Sequence, residues 1–220
     1  LKENNIVISN APGCNQEAVT EWIIGMILMY FRNLQKLTRV TDLSKDEILK
    51  TAESLYNKKI TILGAGHIGT QLRKICESLG MKVTLFKRGD DLLKSVKNAD
   101  IIANCLPVNN TTVGLLGKRF FSSLKKGSFF VSSSPHQIYN IDALKDALDK
   151  DILIAAADDT ASANVGDVNE PDYKKLLDHP KILVTPHIAW NTDSDRRKGN
   201  DIMIDNIEAW INKKPINLIQ

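Results

Sequence analysis

Short apolar segments alternate with helical segments over most of this chain, and that alternation limits its fold more than any other feature. The apolar segments are residues 59–63, 82–86, 101–106, 128–132, 152–157 and 182–185. Between them, apolar residues recur at helical spacing at about 67–79, 91–97, 117–125, 142–149 and 172–178. Apolar strands separated by helices indicate a parallel sheet that is covered on both faces. The sequence therefore predicts a doubly wound α/β fold.

Three further segments flank this alternating region. Residues 15–38 have broad helical periodicity, and Asn15 is suited to cap the start of that helix. A second helix is predicted at 193–212, a β-rich run at 6–9, and a charged connector at 39–58. The wide apolar face of the 15–38 helix predicts more than one packing partner, which favours a homodimer.

Composition excludes several other classes of protein. The 220 residues are 43% hydrophobic and 25% charged, which is ordinary for a globular chain that buries its own core. A net charge of +3 does not favour a nucleic-acid or membrane-surface partner. The scattered Cys14, Cys76 and Cys105 argue against a disulfide framework or zinc site and favour the cytoplasm. Because the first residue is Leu, we expect a fragment of a longer protein.

A glycine-rich turn directly follows the strand at 59–63. It reads Gly64-Ala65-Gly66-His67-Ile68-Gly69, and a helical segment follows it. In a dinucleotide-binding turn of this kind, the first glycine permits the tight turn and the second lets the backbone approach a pyrophosphate. The third lets the helix pack on the strand, and the phosphates lie at the helix N-terminus. The sequence therefore predicts a Rossmann-like cofactor site here.

The end of the next strand predicts which dinucleotide is bound. An NAD site usually places an acidic residue at this point, about 20 residues past the glycines, for the ribose 2′-hydroxyl. This chain has Lys87 and Arg88 there, and two cations attract a 2′-phosphate. We therefore predict NADP(H), with NAD(H) as the alternative if both cations are simply solvated loop charges.

Four motifs together resemble the D-isomer-specific 2-hydroxyacid dehydrogenase family. The first is N-A-P-G-C-N at 10–15 with V-T-E at 19–21, and the second is the glycine turn, where His67 stands in place of a common Arg. The third is Leu106-Pro107 with Thr112 and Gly114, and the fourth is T-P-H-I-A at 185–189. The order and spacing of the four carry the resemblance, which covers nearly the whole chain.

The resemblance implies an organisation in two domains. Residues 1–14 would be a remnant of a substrate domain and its linker, and residues 15–190 the dinucleotide-binding domain. Residues 191–220 would be a helix that returns to the substrate domain, so the flanking helices would belong to a truncated second domain. The implied function is hydride transfer between NADP(H) and a 2-hydroxyacid/2-oxoacid pair similar to glyoxylate or hydroxypyruvate, without a metal.

The resemblance also assigns roles to individual residues. His187 matches the proton donor, a task that suits histidine because it changes charge near neutral pH. Glu170 matches its acid partner and Asp159 the residue that binds nicotinamide, provided that residues 162–167 are an insertion. Without an insertion, Asn164 takes the acid's place, and Asp167 is a further candidate. Cofactor contacts are implied for Pro107, Thr112 and Ser133, beside those of the turn.

Pro135 is the main departure from the family pattern. It stands where the family has the Arg that holds the substrate carboxylate, and proline has neither a cation nor a donor. Either another cation replaces it (Arg196, Arg197 or His136), or the substrate lacks the usual carboxylate, or catalysis is impaired. The second hypothesis is therefore a nucleotide-binding homologue with a regulatory or interaction role.

Overall fold

The computed structural model describes residues 6–38, 41–42, 44–49, 52–162 and 164–219. Within them, a sheet of six parallel strands forms the centre of the molecule. The strands are β1 (Lys59–Leu63), β2 (Lys82–Phe86), β3 (Ile101–Asn104), β4 (Ser128–Ser132), β5 (Leu153–Asp158) and β6 (Ile182–Val184). The predicted doubly wound parallel sheet is confirmed, and β1, β2 and β4 begin and end at the predicted residues.

Helices cover this sheet. Those of the described residues are α1 (Gln16–Phe31), α2 (Leu34–Leu37), α3 (Lys45–Leu49), α4 (His67–Ser78), α5 (Leu92–Val96), α6 (Lys118–Ser122), α7 (Ile141–Asp149), α8 (Pro171–Leu177) and α9 (Asp193–Ile211). A short 3₁₀ helix, His136–Ile138, precedes α7. Among the helices of these residues, none has both the length and the apolar composition that crossing a membrane requires.

The order of the strands creates a crevice at one edge of the sheet. Their spatial order is β2-β1-β3-β4-β5-β6, so the chain leaves β2, passes β1 and places β3 on the other side of β1. The loops that follow β1 and β3 therefore diverge to opposite faces. Ligands of open α/β sheets bind in such a crevice, at the carboxyl ends of the strands.

Two apolar cores lie on the two faces of the sheet. Alternate residues of β4 belong to different cores, because side chains alternate across a strand. Phe129 packs with α1 and stacks on Tyr30, with 4.9 Å between ring centroids. Phe130 packs on the other face against Phe121 of α6, with 5.4 Å between centroids. Burial on both faces explains why the inner strands β3 and β4 have consecutive apolar residues, whereas the edge strand β2 is partly exposed.

The first helix differs from its prediction at both ends. The predicted 15–38 helix is interrupted at Asn33, whose φ of +50° is left-handed, and so it forms α1 and α2. Asparagine tolerates this conformation better than most residues. Asn15 precedes α1 but makes no side-chain capping bond, so the predicted cap is wrong. The amide of Ala18 instead donates to the buried carboxylate of Asp195 in α9, at 3.0 Å.

Residues 9–10 and 217–218 lie side by side. Ser9 forms an antiparallel bridge with Leu218, and the amide of Asn10 donates to the carbonyl of Asn217 at 3.0 Å. The predicted 6–9 run thus pairs with residues near the other end. Of the predicted 39–58 connector, the described part holds α3, while residues 39, 40, 43, 50 and 51 lie outside the described residues.

Candidate active site

The glycine turn between β1 and α4 has the backbone geometry that the sequence predicts. Gly64 has φ +109°, and a Cβ there would lie 2.7 Å from the carbonyl oxygen of Cys105. A Cβ on Gly69 would lie 1.9 Å from the carbonyl oxygen of Gly64, so α4 could not pack this closely. A Cβ on Gly66 meets no atom within 4 Å. Gly66 therefore faces open space, where the backbone can approach a ligand.

This difference predicts that one alanine substitution lowers stability and that the other weakens dinucleotide binding. Gly69→Ala should lower the free energy of unfolding by about 3 kcal/mol, because the new methyl group overlaps backbone. Gly66→Ala should change that free energy by less than about 1 kcal/mol and weaken dinucleotide binding by about tenfold. Denaturant titration and fluorescence titration measure the two effects. Normal dinucleotide affinity in the Gly66→Ala protein would contradict this role of the turn.

A cleft of about 810 Å³ lies over this turn, within the usual size range of small-molecule sites. It brings together most of the sequence-predicted cofactor residues, namely Gly64, Gly66, His67, Ile68, Lys87, Arg88, Pro107, Thr112 and Ser133. Pro135 also lines it. The other candidates, Gly69, Asp159, Glu170 and His187, are not among its lining residues. Gly69 instead packs behind the turn, against Gly64.

The two acidic side chains near the end of β2 accept hydrogen bonds from backbone amides. Lys87 and Arg88 are exposed and line the cleft. The carboxylate of Asp90 accepts the amide of Lys87 at 2.9 Å, and that of Asp91 accepts the amide of Lys94 at 3.0 Å. Neither aspartate lines the cleft. Here the cleft thus has two cations and no acidic side chain among its lining residues.

Thr112 holds the loop that follows β3. It is buried, and its hydroxyl donates to the carbonyl of Pro107 at 2.6 Å and accepts the amide of Asn109 at 2.9 Å. These bonds shape the cleft wall between β3 and α6. The hydroxyl of Ser133, after β4, donates to the carbonyl of Asn104 at 3.4 Å.

Sequence reasoning missed a buried pair at the end of β5. The Tyr139 hydroxyl donates to Asp158 Oδ2 at 2.9 Å, and the amides of Thr160 and Ala161 donate to Oδ1 at 2.9 and 2.7 Å. Burial raises the pKa of Asp158 to about 7 although these donors oppose the rise, and burial also raises the pKa of Tyr139. The sequence signal for this pair is the acidic doublet Asp158-Asp159 at the end of an apolar strand.

Asp159 binds the 185–189 loop that carries His187. Its Oδ1 accepts the Thr185 hydroxyl at 2.5 Å and the Ile188 amide at 2.9 Å, and its Oδ2 accepts the Ala189 amide at 2.8 Å. Its carbonyl accepts the His187 amide at 2.7 Å. Burial raises the pKa of Asp159, and these donors and the nearby His187 oppose that rise.

His187 has an unusual backbone and an unsatisfied ring nitrogen. Its φ of +59° is left-handed, which is uncommon for a residue with a side chain. Its Nδ1 is buried, and no residue in the described part of the chain forms a hydrogen bond with it. Glu170 Oε1 accepts the amide and the Nδ2 group of Asn164, at 3.1 and 3.0 Å. Glu170 is therefore not hydrogen-bonded to Nδ1 of His187 in this conformation, and its predicted pairing with the ring stays a prediction.

The three alternative cations are not among the residues that line the cleft. The ring of His136 pairs with Asp172 at 3.5 Å, and Arg196 donates to the side chain of Asn191 at 2.7 Å. Neither of them lines the cleft, and Arg197 does not line it either. The wall beside Pro135 is formed by Ser133 and Ser134, which offer hydroxyl groups and no charge.

Comparison with known proteins identifies the family. The profile of the D-isomer specific 2-hydroxyacid dehydrogenase NAD-binding domain matches residues 24–189, more than half of the chain. The chain belongs to this family. Among curated proteins it is similar to a D-lactate dehydrogenase of Staphylococcus aureus, with 28% identity over 216 residues. It is also similar to a D-3-phosphoglycerate dehydrogenase of Haemophilus influenzae, with 29% identity over 205 residues.

These alignments cover 87% of this chain but only 65% and 50% of those two relatives. Among solved structures, D-lactate dehydrogenase with NAD⁺ from Lactobacillus jensenii superposes with a TM-score of 0.82 at 25% identity, covering 100% of this chain and 73% of that one. An acyclic imino acid reductase in complex with NADPH and D-Arg gives 0.87 at 23% identity with the same coverage, which shows the shared fold. The cleft thus belongs to a nicotinamide dinucleotide-binding domain.

Proposed function

We propose that this family member is the cofactor domain of an oxidoreductase that transfers hydride between NADP(H) and a 2-hydroxyacid/2-oxoacid pair similar to glyoxylate or hydroxypyruvate. The observation that carries the choice of NADP(H) is the pair of cations at the end of β2, in the same cleft as the glycine turn. A 2′-phosphate would be attracted by Lys87 and Arg88. NAD(H) remains the alternative cofactor, which a direct comparison of affinities decides.

The cleft fits a dinucleotide along the carboxyl edge of the sheet. Lys87 follows β2, the glycine turn follows β1, and Ser133 follows β4, so they lie in this order with β3 between the last two. Adjacent strands are about 4.8 Å apart. The pyrophosphate would lie at Gly66 and the start of α4, where free amides and the helix dipole favour an anion. The nicotinamide would then lie toward Ser133.

The residues after β5 and β6 would perform the proton transfer. A bound nicotinamide supplies or accepts the hydride. His187 would donate a proton to the carbonyl oxygen in reduction and accept it in oxidation. Its unpartnered Nδ1 is the position at which an acid would hold the ring, and Glu170 is the acid we propose.

Pro135 provides the test of substrate choice. We expect Pro135→Arg to raise kcat/KM for glyoxylate and hydroxypyruvate by about 100-fold, because it restores a charged donor for the carboxylate. NADPH affinity should stay unchanged. Pro135→Lys, which adds the charge without the planar fork, is the matched control and should restore less. Equal rates in wild type and Pro135→Arg would contradict the assignment.

The second candidate function is a nucleotide-binding homologue with an interaction role and impaired catalysis. The cleft wall favours it, because Pro135 and the adjacent serines offer no cation for a substrate carboxylate. A scan of 2-oxoacids with NADPH separates the two functions. Consumption of NADPH supports the enzyme, and binding without consumption supports the second candidate.

We also propose the organisation and assembly that the family resemblance implies. Residues 1–14 and 191–220 would connect to a substrate domain, which the pairing of Ser9 with Leu218 supports. A homodimer would bury the partly exposed side of α1, with Ile24 and Leu28. A cytoplasmic location stays a proposal. Sedimentation of the protein as a monomer would contradict the dimer.

A further inference from the structure

We propose that the buried pair of Asp158 and Tyr139 is a proton-controlled latch for one wall of the dinucleotide cleft, the wall formed by residues 133–135. The latch holds this wall while Asp158 is protonated and loosens it as Asp158 ionises. Neither residue of the pair is among those that line the cleft. The inference goes beyond the proposed function, because it concerns the shape of the cleft and does not depend on hydride transfer.

Asp158 reaches this wall by two routes. Its Oδ2 accepts the Tyr139 hydroxyl at 2.9 Å, and Tyr139 follows the 3₁₀ helix that begins directly after Pro135. Its Oδ1 accepts the amide of Thr160 at 2.9 Å, and the Thr160 hydroxyl donates to the carbonyl of Ser134. One carboxyl group at the end of β5 is therefore connected to the chain on both sides of Pro135.

The segment that carries Tyr139 also holds the loop after β3. The amide of Leu116 donates to the carbonyl of Ile138 at 3.0 Å, and the carbonyl of Leu116 accepts the amide of Asn140 at 3.1 Å. Leu116 thereby forms a parallel bridge with Tyr139. Several residues between 107 and 115, just before this bridge, line the cleft. A movement of Tyr139 would therefore displace the parts of the cleft that follow both β3 and β4.

The burial of Asp158 makes the latch sensitive to pH. The residue is 1% exposed, and burial raises its pKa to about 7, although the Tyr139 hydroxyl and the amides of Thr160 and Ala161 oppose the rise. The nearby charge of Asp159 also raises this pKa. Because a carboxyl group that reaches water has a pKa of about 3.9, ionisation favours states in which the wall opens. The latch is thus complete below about pH 4 and weakens as the pH rises to about 7.

A second titratable pair lies beside the latch. The charge of Asp172 in α8 acts on Tyr139, and the ring of His136 is 3.5 Å from the carboxylate of Asp172. His136 belongs to the 3₁₀ helix that precedes Tyr139. Because histidine side chains change charge near neutral pH, the test has to separate His136 from Asp158.

Amide hydrogen exchange of the full chain between pH 5 and pH 8 tests the latch. The reporters are the amides of Ile138 and Leu116, which donate to the carbonyls of Pro135 and Ile138 at 3.1 and 3.0 Å. After correction for intrinsic exchange, their protection should fall by about 50-fold from pH 5 to pH 7 and then level off. The amide of Met81, which donates to the carbonyl of Cys76 at 3.0 Å, is the reference and should keep constant protection.

Two substitutions alter the titrating group in different ways. Asp158→Asn resembles the protonated acid, because its amide oxygen can accept from Thr160 and Ala161 while its NH₂ group donates to the Tyr139 oxygen. Protection of the two reporter amides in this variant should not change with pH. Tyr139→Phe removes a donor that opposes the raised pKa of Asp158, so the pH at which protection levels off should rise by about one unit. This second variant keeps the test decisive if Asp158→Asn does not fold.

Dinucleotide binding measures the effect of the latch on the cleft. Asp158→Leu removes all three hydrogen bonds and should weaken the binding of NADPH and of NADH alike by about tenfold. Asp158→Asn should change both affinities by less than about twofold at pH 6. Unchanged affinities in an Asp158→Leu protein whose reporter amides exchange faster would overturn the link between the latch and the cleft.

His136→Asn is the control for the neighbouring pair. It should keep the wild-type pH dependence of the reporter amides, because it leaves Asp158 and Tyr139 in place. A pH dependence that disappears in His136→Asn, or persists in Asp158→Asn, would overturn the proposal. Constant protection of the reporter amides in the wild type would overturn it as well. These measurements need no turnover, so their outcome is independent of the proposed hydride transfer.

Discussion

His187→Asn should lower kcat for reduction of a 2-oxoacid by about 1,000-fold, the upper part of the range for loss of a general acid. Asparagine adopts the left-handed backbone that position 187 requires, so the loop should keep its shape. NADPH affinity should change less than about twofold, because His187 does not line the cleft. Steady-state kinetics with binding titrations measure both quantities.

His136→Asn is the control for this substitution. The ring of His136 pairs with Asp172 and does not line the cleft, so kcat should be unaffected. A His187→Asn protein that retains wild-type kcat would remove His187 from the chemistry. The interaction-protein hypothesis would then become the better explanation of the cleft.

Replacing Lys87 by Asp and Arg88 by Ser should reverse the cofactor preference. We expect NADPH binding to weaken by about 100-fold, because two charge-assisted contacts to the 2′-phosphate are lost and a carboxylate repels it. NADH binding should strengthen, because the new carboxylate can accept from the ribose 2′-hydroxyl. Calorimetric titration with both dinucleotides measures the change.

The control makes the same change in charge at two residues that do not line the cleft. Lys97→Asp with Arg119→Ser alters two exposed residues outside the cleft lining and should leave both affinities unchanged. If the control variant weakens NADPH binding as much as the Lys87 and Arg88 variant does, the weakening comes from the change in net charge and not from contacts in the cleft. A wild type that prefers NADH would contradict our interpretation of the β2 end.

Most of the sheet could be predicted from the sequence, because strands that are buried in a sheet are rich in apolar residues. β1, β2 and β4 each contain three apolar residues out of five, and the bounds of all three agree with the prediction to the residue. β3 ends two residues earlier than its apolar run, because Cys105 and Leu106 already turn into the cleft wall. The glycine turn was equally predictable, since only glycine fits the backbone at position 64.

The features of the fold and the site that could not be predicted depend mainly on contacts between residues far apart in sequence. The cap of α1 comes from Asp195, which is 177 positions from its partner Ala18, so local preference wrongly suggested Asn15. The break at Asn33 is a single left-handed residue inside a continuous apolar pattern. The hydrogen bonds between Asp159 and the 185–189 loop depend on β5 and β6 being neighbours, which no local pattern reveals.

Catalysis by this protein is tested by measuring the consumption of NADPH by the wild type with glyoxylate and with hydroxypyruvate, compared with NADH at equal concentration. We predict that NADPH is oxidised in one-to-one proportion to the 2-hydroxyacid formed, and faster than NADH. NADPH that binds in the cleft but is consumed with neither 2-oxoacid would contradict this function.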